Sequence, residues 1–341
     1  MMLNNGPVFS VIIPVYNRPG EMEELLESIL MQQGIDPNEI EVIVVEDGSS
    51  VPCGNLCEHY KWKGLNVKYL YKTNEGRSIA RNRGIEMSKG EWMIFFDSDC
   101  IIPEDYFYRL KNDKTLLVTD CFGGPDAAHQ SFSSVQKAIS FAMTSFLTTG
   151  GIRGSRNSIE KFVPRSFNMG FRREVYEKVG GFREMYSEDI DMSTRIKNAG
   201  FRVVLLPDQK VYHKRRVNFC KFFRQVYVFG KSRITLHFLY PGSLKIVHTL
   251  PALFVVASAL MIFGGLFLSV WSLLPLAIFM LLLFTVALWE GNSLKVAFLA
   301  VPAGLIQLWG YGLGFINAFF YKVILRKGRN IEEEIEDRKG K

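Results

Sequence analysis

WMIFFDSD, residues 92–99, decides how the first two thirds of this chain are read. Five apolar residues run without a break into two carboxylates set one residue apart. A run that short and that apolar reads as a strand buried on both faces, so Asp97 and Asp99 fall where the strand stops. Outward from it the pattern recurs. Phe9–Val15 is a β-branched run ending in a turn, Pro14-Val15-Tyr16-Asn17. Glu21–Gln33 carries Met22, Leu25, Leu26, Ile29 and Leu30 at helical spacing. Glu41–Val45 and Val67–Tyr71 read as strands, Ser78–Met87 as the helix before Trp92–Phe96. Further on come a strand and turn at Phe167–Arg173, a helix at Ser187–Ala199 and a strand at Phe201–Leu206. Strands alternating with helices predict an α/β fold, with a mostly parallel sheet covered by helices on both faces. Ligands of such sheets bind beyond the carboxyl ends of the strands, here after Val15, Val45 and Phe96.

The chain has 341 residues, 48% hydrophobic and 22% charged, with a net charge of +7. That length allows roughly two domains of ~100–200 residues. The apolar content excludes disorder, and the size excludes a small disulfide scaffold. The charge is unevenly spread. The 44 residues Ile246–Trp289 and the 26 residues Val296–Tyr321 contain no Asp, Glu, Lys or Arg. A membrane helix needs only ~20 apolar residues, so three segments are expected: Lys245–Val270, Ser272–Trp289 and Val296–Leu325. Three crossings would put the C-terminus across the membrane from the N-terminal domain, whereas Arg326-Lys327-Gly328-Arg329 marks the cytoplasmic side. A re-entrant stretch around Pro302–Gly314 would remove the conflict, and both arrangements stay open. Residues 209–245 hold nine Lys/Arg and no acid, interleaved with Phe219, Phe222, Phe223, Tyr227, Phe229, Phe238 and Tyr240. This suits amphipathic helices at an anionic membrane surface, and continuity with the apolar tail favours lipid over nucleic acid as the partner. The expected organisation is a catalytic domain at 1–213, a juxtamembrane region at 214–245, a membrane region at 246–325 and a charged tail at 326–341. The N-terminus lacks the basic and long apolar regions of a signal peptide, so the first domain is expected in the cytosol. Five irregularly spaced cysteines, with no second Cys/His pair at zinc spacing beside Cys53 and Cys57, read as reduced thiols.

Several side chains carry chemistry, each with a plainer reading beside it. Asp97 and Asp99 can hold a divalent cation shared with a diphosphate, or simply end a strand in a polar turn. Asp47 can accept from a base N–H, with Gly48 letting backbone approach a ligand, or it is an acidic exit from a strand. Arg81 suits a phosphate or a surface ion pair. Ser187 is placed to cap the following helix, and Glu188, Asp189 and Asp191 suit its dipole. One of these acids could equally be a general base. His213 is a metal ligand or a structural histidine. Gly150, Gly151 and Gly154 beside Arg153 and Arg156 suggest a mobile loop.

Six stretches, VIIPVYNR (11–18), VVEDGSS (44–50), NEGRSIARNRG (74–84), FFDSD (95–99), NMGFRREVYEKVGGF (168–182) and SEDIDMSTRIKNAGF (187–201), together resemble the inverting glycosyltransferases of family 2. The likeness covers roughly residues 8–215 and is to bacterial-type members with C-terminal transmembrane segments. It implies the GT-A fold, a Rossmann-like sheet with flanking helices. It also implies a UDP- or GDP-sugar donor, a divalent metal (Mg2+ or Mn2+) and a membrane-bound enzyme of the bacterial inner membrane with its catalytic domain in the cytoplasm. Carried over by position, Pro14, Tyr16 and Asp47 line the base and ribose pocket. Arg81 lies near the ribose or diphosphate, and Arg18, Asn74 and Ser98 complete the nucleotide-sugar set. Asp97 contacts ribose or metal, Asp99 and His213 bind metal, and Asp189 is the base, supported by Glu188. Glu46 stands where the family usually has Asp. Branches that glycosylate a polyprenyl phosphate, such as dolichol-phosphate-mannose-synthase-like enzymes, show Gly-Asp-Phe/Tyr where this chain has Ser-Glu-Asp. Processive synthases carry Q-x-x-R-W, which Gln225-Val226-Tyr227-Val228-Phe229 lacks. The resemblance therefore implies transfer of one or a few sugars to a hydroxyl of a lipid-linked saccharide or glycolipid. Arg153, Lys214, Arg215 and Arg216 are candidates to meet the acceptor's phosphates. A polyprenyl-phosphate glycosyltransferase is the alternative enzyme. A non-catalytic membrane scaffold is opposed by the intact Asp47, Asp97, Asp99 and Asp189.

Overall fold

The computed structural model describes residues 6–150, 162–214 and 218–328. In chain order the first elements are β1 (Phe9–Val15), α1 (Pro19–Leu30), β2 (Ile40–Asp47), α2 (Gly54–Trp62), β3 (Val67–Lys72), α3 (Arg77–Met87) and β4 (Trp92–Phe95). Next come β5 (Cys100–Ile101), α4 (Tyr106–Asn112), β6 (Cys121–Gly123), β7 (Asp126–Ala127), α5 (Ser134–Thr144) and α6 (Phe146–Thr149). They are followed by β8 (Met169–Arg172), α7 (Arg173–Val179), α8 (Glu188–Asn198), β9 (Val203–Leu205) and β10 (Val211–His213). The last four helices are α9 (Phe219–Leu239), α10 (Ile246–Phe267), α11 (Leu274–Trp289) and α12 (Leu294–Ala318).

The chain divides into two compact units. One holds Met1–His129, Glu160–Glu184 and Glu188–Lys214; the other holds Gln130–Ile159, Met185–Ser187 and Arg215–Lys341. The segment 130–159, although it interrupts the first unit in sequence, therefore belongs to the second.

The first unit is built on a seven-stranded sheet ordered β3-β2-β1-β4-β8-β6-β9. β1 pairs parallel with β2 and β4, β2 with β3, and β6 with β9, while β8 runs antiparallel between β4 and β6. β1 and β2 are buried along their whole length, which is why they read as unbroken apolar runs. Successive side chains point to opposite faces. Val11, Ile13 and Val15 meet Met22, Leu25 and Leu26 of α1. Ile12, with Ile43 and Phe95, meets Ala80 of α3 and Met192 and Ile196 of α8 on the other face. A second sheet of three short strands, ordered β5-β10-β7, lies beyond the end of β4. It ties His213 to Cys100 in antiparallel register.

The second unit is helical. The basic, aromatic segment forms the single helix α9, whose buried face Phe222, Val226, Gly230 and Ile234 repeats every four residues. It meets α12 at very short range. A Cβ at Gly230 would lie 2.0 Å from Tyr311 O, one at Gly314 2.0 Å from Tyr227 O, and one at Gly310 2.4 Å from Val226 Cγ2. On its other side, α12 approaches α10, where a Cβ at Gly312 would lie 2.3 Å from Pro251 O. α5 adds Ala138, Ile139, Ala142 and Met143 to the same core. α12 runs unbroken through Pro302. Three helices, Ile246–Phe267, Val270–Trp289 and Leu294–Ile324, are long and apolar enough to cross a membrane. On the second of these, Trp271 and Trp289 are exposed. Their separation along a helix, ~27 Å at 1.5 Å per residue, is close to the ~30 Å hydrocarbon core, a spacing that would suit indoles at both interfaces of a membrane.

Gly314→Val should lower the thermal unfolding midpoint of the detergent-solubilised chain, because overpacking a backbone crossing costs ~2 kcal/mol or more. Gly20→Ala, where nothing lies within 4 Å of the added methyl, should leave the midpoint nearly unchanged.

Candidate active site

The acids predicted at strand ends converge at the carboxyl edge of the large sheet. Asp97 and Asp99 follow β4, and His213 reaches them from β10. Backbone fixes that approach: Lys214 N donates to Asp99 O (2.9 Å), and the His213 ring packs on Phe167 with centroids 4.8 Å apart. Behind it, the buried Asn168 accepts from Tyr106 OH (2.7 Å) and donates to Gln209 O (2.6 Å). His213 Nε2 lies 3.0 Å from Asp99 Oδ1 and 3.9 Å from Asp97 Oδ2.

This donor set fits a hard divalent cation. Asp99 Oδ1 is buried and accepts no well-aligned hydrogen bond among the described residues, although the imidazole is adjacent. The two atoms sit side by side, as neighbouring ligands of one ion do, and adjacent ligands of an octahedral Mg2+ are ~3.0 Å apart. Cys100 Sγ also lies in the cluster. Burial, with Asp99 and Asp97 beside it, pushes its thiol well above the usual range, so it remains an uncharged, soft group. Burial alone would raise the Asp99 carboxyl, but His213 and Arg18 hold it well below the ordinary carboxylate range.

Arg81 connects this cluster to α8. Its side chain is fully buried, with Nη2 on Asp97 Oδ1 (2.8 Å) and Nη1 on Glu188 Oε1 (2.9 Å). The structure thus places Arg81 between two carboxylates, with its charge already matched, instead of on an open surface. Arg77, one helical turn earlier, closes on Glu188 from outside (Nε–Oε1, 2.7 Å). Burial opposes ionisation of Glu188, but Arg77 and Arg81 outweigh it and hold its carboxyl below the ordinary value. Asp191 is buried and paired with Arg195 and Arg183. Asp189 differs from both. Its side chain is 19% exposed, with Arg165 Nη1 3.7 Å away, and its Oδ1 accepts only from Ile190 N (2.8 Å) among the described residues. Ser187 is not the N-cap expected of it. Its φ of +60° lies outside the extended backbone of a cap, and its hydroxyl pairs with Ser232 (2.7 Å).

The ends of β1 and β2, parallel neighbours in the sheet, lie along the same edge. Asp47 accepts from Glu75 N (3.0 Å), Gly76 N (2.9 Å) and Lys72 Nζ. Gly48 allows this closure: at φ +74°, a Cβ there would lie 2.5 Å from Asn74 N. Glu46 is fully buried and accepts from Cys53 N (2.8 Å), Cys53 Sγ (2.9 Å) and Ser49 Oγ, so it ties down its own loop. Asn17 stitches that loop to the end of β1 through Ser50 N (2.8 Å). Pro14 is within β1, Tyr16 and Asn74 are exposed beside these loops, and Ser98, between Asp97 and Asp99 in sequence, is buried. Lys214 turns to Glu24 (2.5 Å). Arg153, Arg215 and Arg216 lie outside the described residues. Sequence reasoning missed Arg77 and Arg165. Arg77 sits four residues before Arg81 on the same helical face, a usable signal; nothing in the sequence singles out Arg165.

Fold and site together define a sugar-transferring enzyme of the GT-A type. The model of Glycosyl transferase family 2 matches residues 10–180, half of the chain, and the chain belongs to that family. Succinoglycan biosynthesis protein ExoA of Rhizobium meliloti is 25% identical over 65% of this chain and 68% of its own length. The uncharacterized glycosyltransferase YibD of Escherichia coli is 35% identical over 29% of this chain and 28% of its own. The matched segment spans 52% of the Bacillus subtilis glycosyltransferase EpsJ, at 27% identity over 54% of this chain. Among solved structures, a mannosyltransferase from Pyrobaculum calidifontis, in complex with GDP-Man and Mn2+, shares the fold with a TM-score of 0.55 and 19% identity. That match covers 95% of this chain and 89% of the neighbour.

Glu188→Gln leaves the buried Arg81 guanidinium, with the more exposed Arg77 beside it, short of a counter-charge and should cost ~3 kcal/mol at neutral pH, read as a lower unfolding midpoint. A carboxyl depressed below its ordinary 4.5 contributes stability that is complete above that pH and lost as pH falls through the folded value. The gap between wild type and variant should therefore close below pH 4.5.

Proposed function

We propose that this glycosyltransferase is a membrane-bound inverting enzyme. It moves one sugar, or a few, from a UDP- or GDP-sugar to a hydroxyl of a lipid-linked saccharide or glycolipid. The observation that carries the reading is the Arg81 bridge. It puts the start of α8, where Asp189 is the accessible acid, one guanidinium away from Asp97 (2.8 and 2.9 Å). A base for the acceptor and a site for the departing diphosphate then stand side by side.

Asp97, Asp99 and His213 are the residues that would hold Mg2+ or Mn2+, which neutralises charge developing on a departing diphosphate. Tyr16 supplies a face for the nucleotide base beside Pro14 and Asn74. Asp47 keeps acceptor capacity for a base N–H, since each carboxylate oxygen offers about two lone-pair sites. Asp189 takes the proton of the acceptor hydroxyl as its oxygen attacks the anomeric carbon. The bond from that carbon to the phosphate oxygen breaks, its electron pair leaves with the nucleoside diphosphate, and configuration inverts. Glu188 and Arg81 position Asp189 and Asp97 without touching the reacting atoms. An ionised base is needed for a hydroxyl, not for a phosphate acceptor, which favours the saccharide. The apolar helices supply a reason for a lipid carrier. Nucleotide sugars are cytosolic, so the reading places the catalytic domain, 1–213 in the sequence division, on the cytoplasmic side of a bacterial inner membrane. The basic face of α9 then suits anionic headgroups.

Membranes given a panel of radiolabelled UDP- and GDP-sugars with Mn2+ should pass label from one donor into the lipid fraction, with the labelled sugar staying attached to a larger saccharide or glycolipid after mild acid. Release of the label by mild acid as the free monosaccharide would identify a sugar phosphate and overturn the hydroxyl acceptor. Asp189→Asn should lower kcat by ~10²–10⁴-fold while the donor KM stays close to wild type; an unaffected kcat would overturn the base.

A further inference from the structure

Asp99 is held from two sides by different kinds of group. Oδ1 faces His213 Nε2 at 3.0 Å, in the cluster assigned above to a divalent ion. Oδ2 is paired with Nη1 of Arg18. The Arg18 backbone is fixed at the head of α1, where its carbonyl accepts from Met22 N (3.0 Å). Its side chain is more open than its partner's, 30% exposed against 12% for Asp99. The contrast with Arg81 is informative. Arg81 is sealed between two carboxylates, so it cannot leave. Arg18 has a single carboxylate partner among the described residues and an open side, and it stands on the loop that also carries Tyr16.

We propose that Arg18 is an exchangeable counter-cation. It neutralises Asp99 before the donor binds, then transfers to the nucleoside diphosphate that arrives with its divalent ion. The proposal rests on the Asp97, Asp99 and His213 assignment. A guanidinium already on Asp99 weakens that carboxylate as a ligand and repels a bare divalent cation. A diphosphate relieves the conflict, because its oxygens offer the planar guanidinium fork a second anion and Asp99 is released to the ion. Metal and nucleotide must then bind with reciprocal positive coupling. Arg18 thereby makes the site select the ion–nucleotide pair over the ion alone.

The test is Mn2+ titration of the full chain in detergent micelles, followed by loss of the spin-resonance signal of free aqueous Mn2+. It is run without nucleotide and with saturating UDP or GDP. In wild type, the nucleotide that binds should tighten Mn2+ by about tenfold. Arg18→Gln should bind Mn2+ alone about fivefold more tightly than wild type and lose most of the nucleotide's effect. Arg18→Lys, which keeps the charge but not the fork, should bind Mn2+ alone as wild type does, with weakened coupling. An Arg18→Gln protein whose affinity for Mn2+ alone is unchanged or lower overturns the proposal, and this arm needs no nucleotide. Should Arg18→Gln fail to fold, Arg18→Lys with full coupling overturns it. Asp99→Asn that binds Mn2+ like wild type sinks the metal-site assignment instead, which separates the two failures.

Discussion

One buried guanidinium organises the catalytic unit. Arg81 is fully buried, and a charge so placed is tolerable only when it is paired. Its pairs come from the turn after β4 and from the start of α8, segments far apart in sequence. Neither can move away without stranding a charge in the interior. The depth of Arg81 is set by its helix. α3 lies close on the sheet because Gly84 faces Ile12, where a Cβ would come within 2.4 Å of Ile12 Cγ2. A small residue one turn beyond Arg81 thus brings the guanidinium level with Asp97. Packing fixes the electrostatics, and the electrostatics fix where the acids stand.

The helical unit follows other rules. Close backbone approach is what helix association relies on wherever a lipid surrounding removes the hydrophobic drive. Gly230, Gly310 and Gly314 provide it between α9 and α12, and Gly312 between α12 and α10. The large apolar side chains point elsewhere. Leu253, Leu260, Phe263, Leu281 and Leu282 are exposed on α10 and α11, an arrangement suited to a hydrocarbon surrounding. α12 differs from its neighbours in having about half of its apolar window buried. It forms the axis on which α5, α9, α10 and α11 pack.

The sheet was legible because its central strands are buried on both faces and carry unbroken apolar runs; β1, β2, β3 and β4 lie within two or three residues of where the sequence puts them. The second sheet was not. β5 and β7 have two residues each and β10 three, too few for any periodicity, and their pairing is dictated by the tertiary fold. That is why His213 read as an isolated histidine although its strand is hydrogen-bonded to the turn that carries Asp99. Glu188 and Asp189 read from spacing as capping acids or a general base, and only the resemblance singled out Asp189, since spacing alone cannot tell which of two neighbours turns inward. The structure separates them, burying Glu188 against two arginines and leaving Asp189 accessible. α5 and α6 take their place beside α12 through contacts across more than a hundred residues, which no local pattern shows.

The charges of the site also constrain how a donor can enter. Arg18, Arg77, Arg81 and Arg165 stand against Asp97, Asp99, Glu188 and Asp189. Four cations meet four anions, so the site is electrically closed before any ligand arrives. A bare divalent ion would add charge to a balanced set, and a bare diphosphate would do the reverse. An ion and a diphosphate together are near neutral and disturb the balance least. They do require that some existing pair exchange partners. Arg81 is sealed and Arg77 and Arg165 flank the acids of α8, which leaves Arg18 as the arginine paired with the acid that faces His213. On the exchange proposed above, the carboxylate that would hold the cation holds an arginine until the cation comes with its anion.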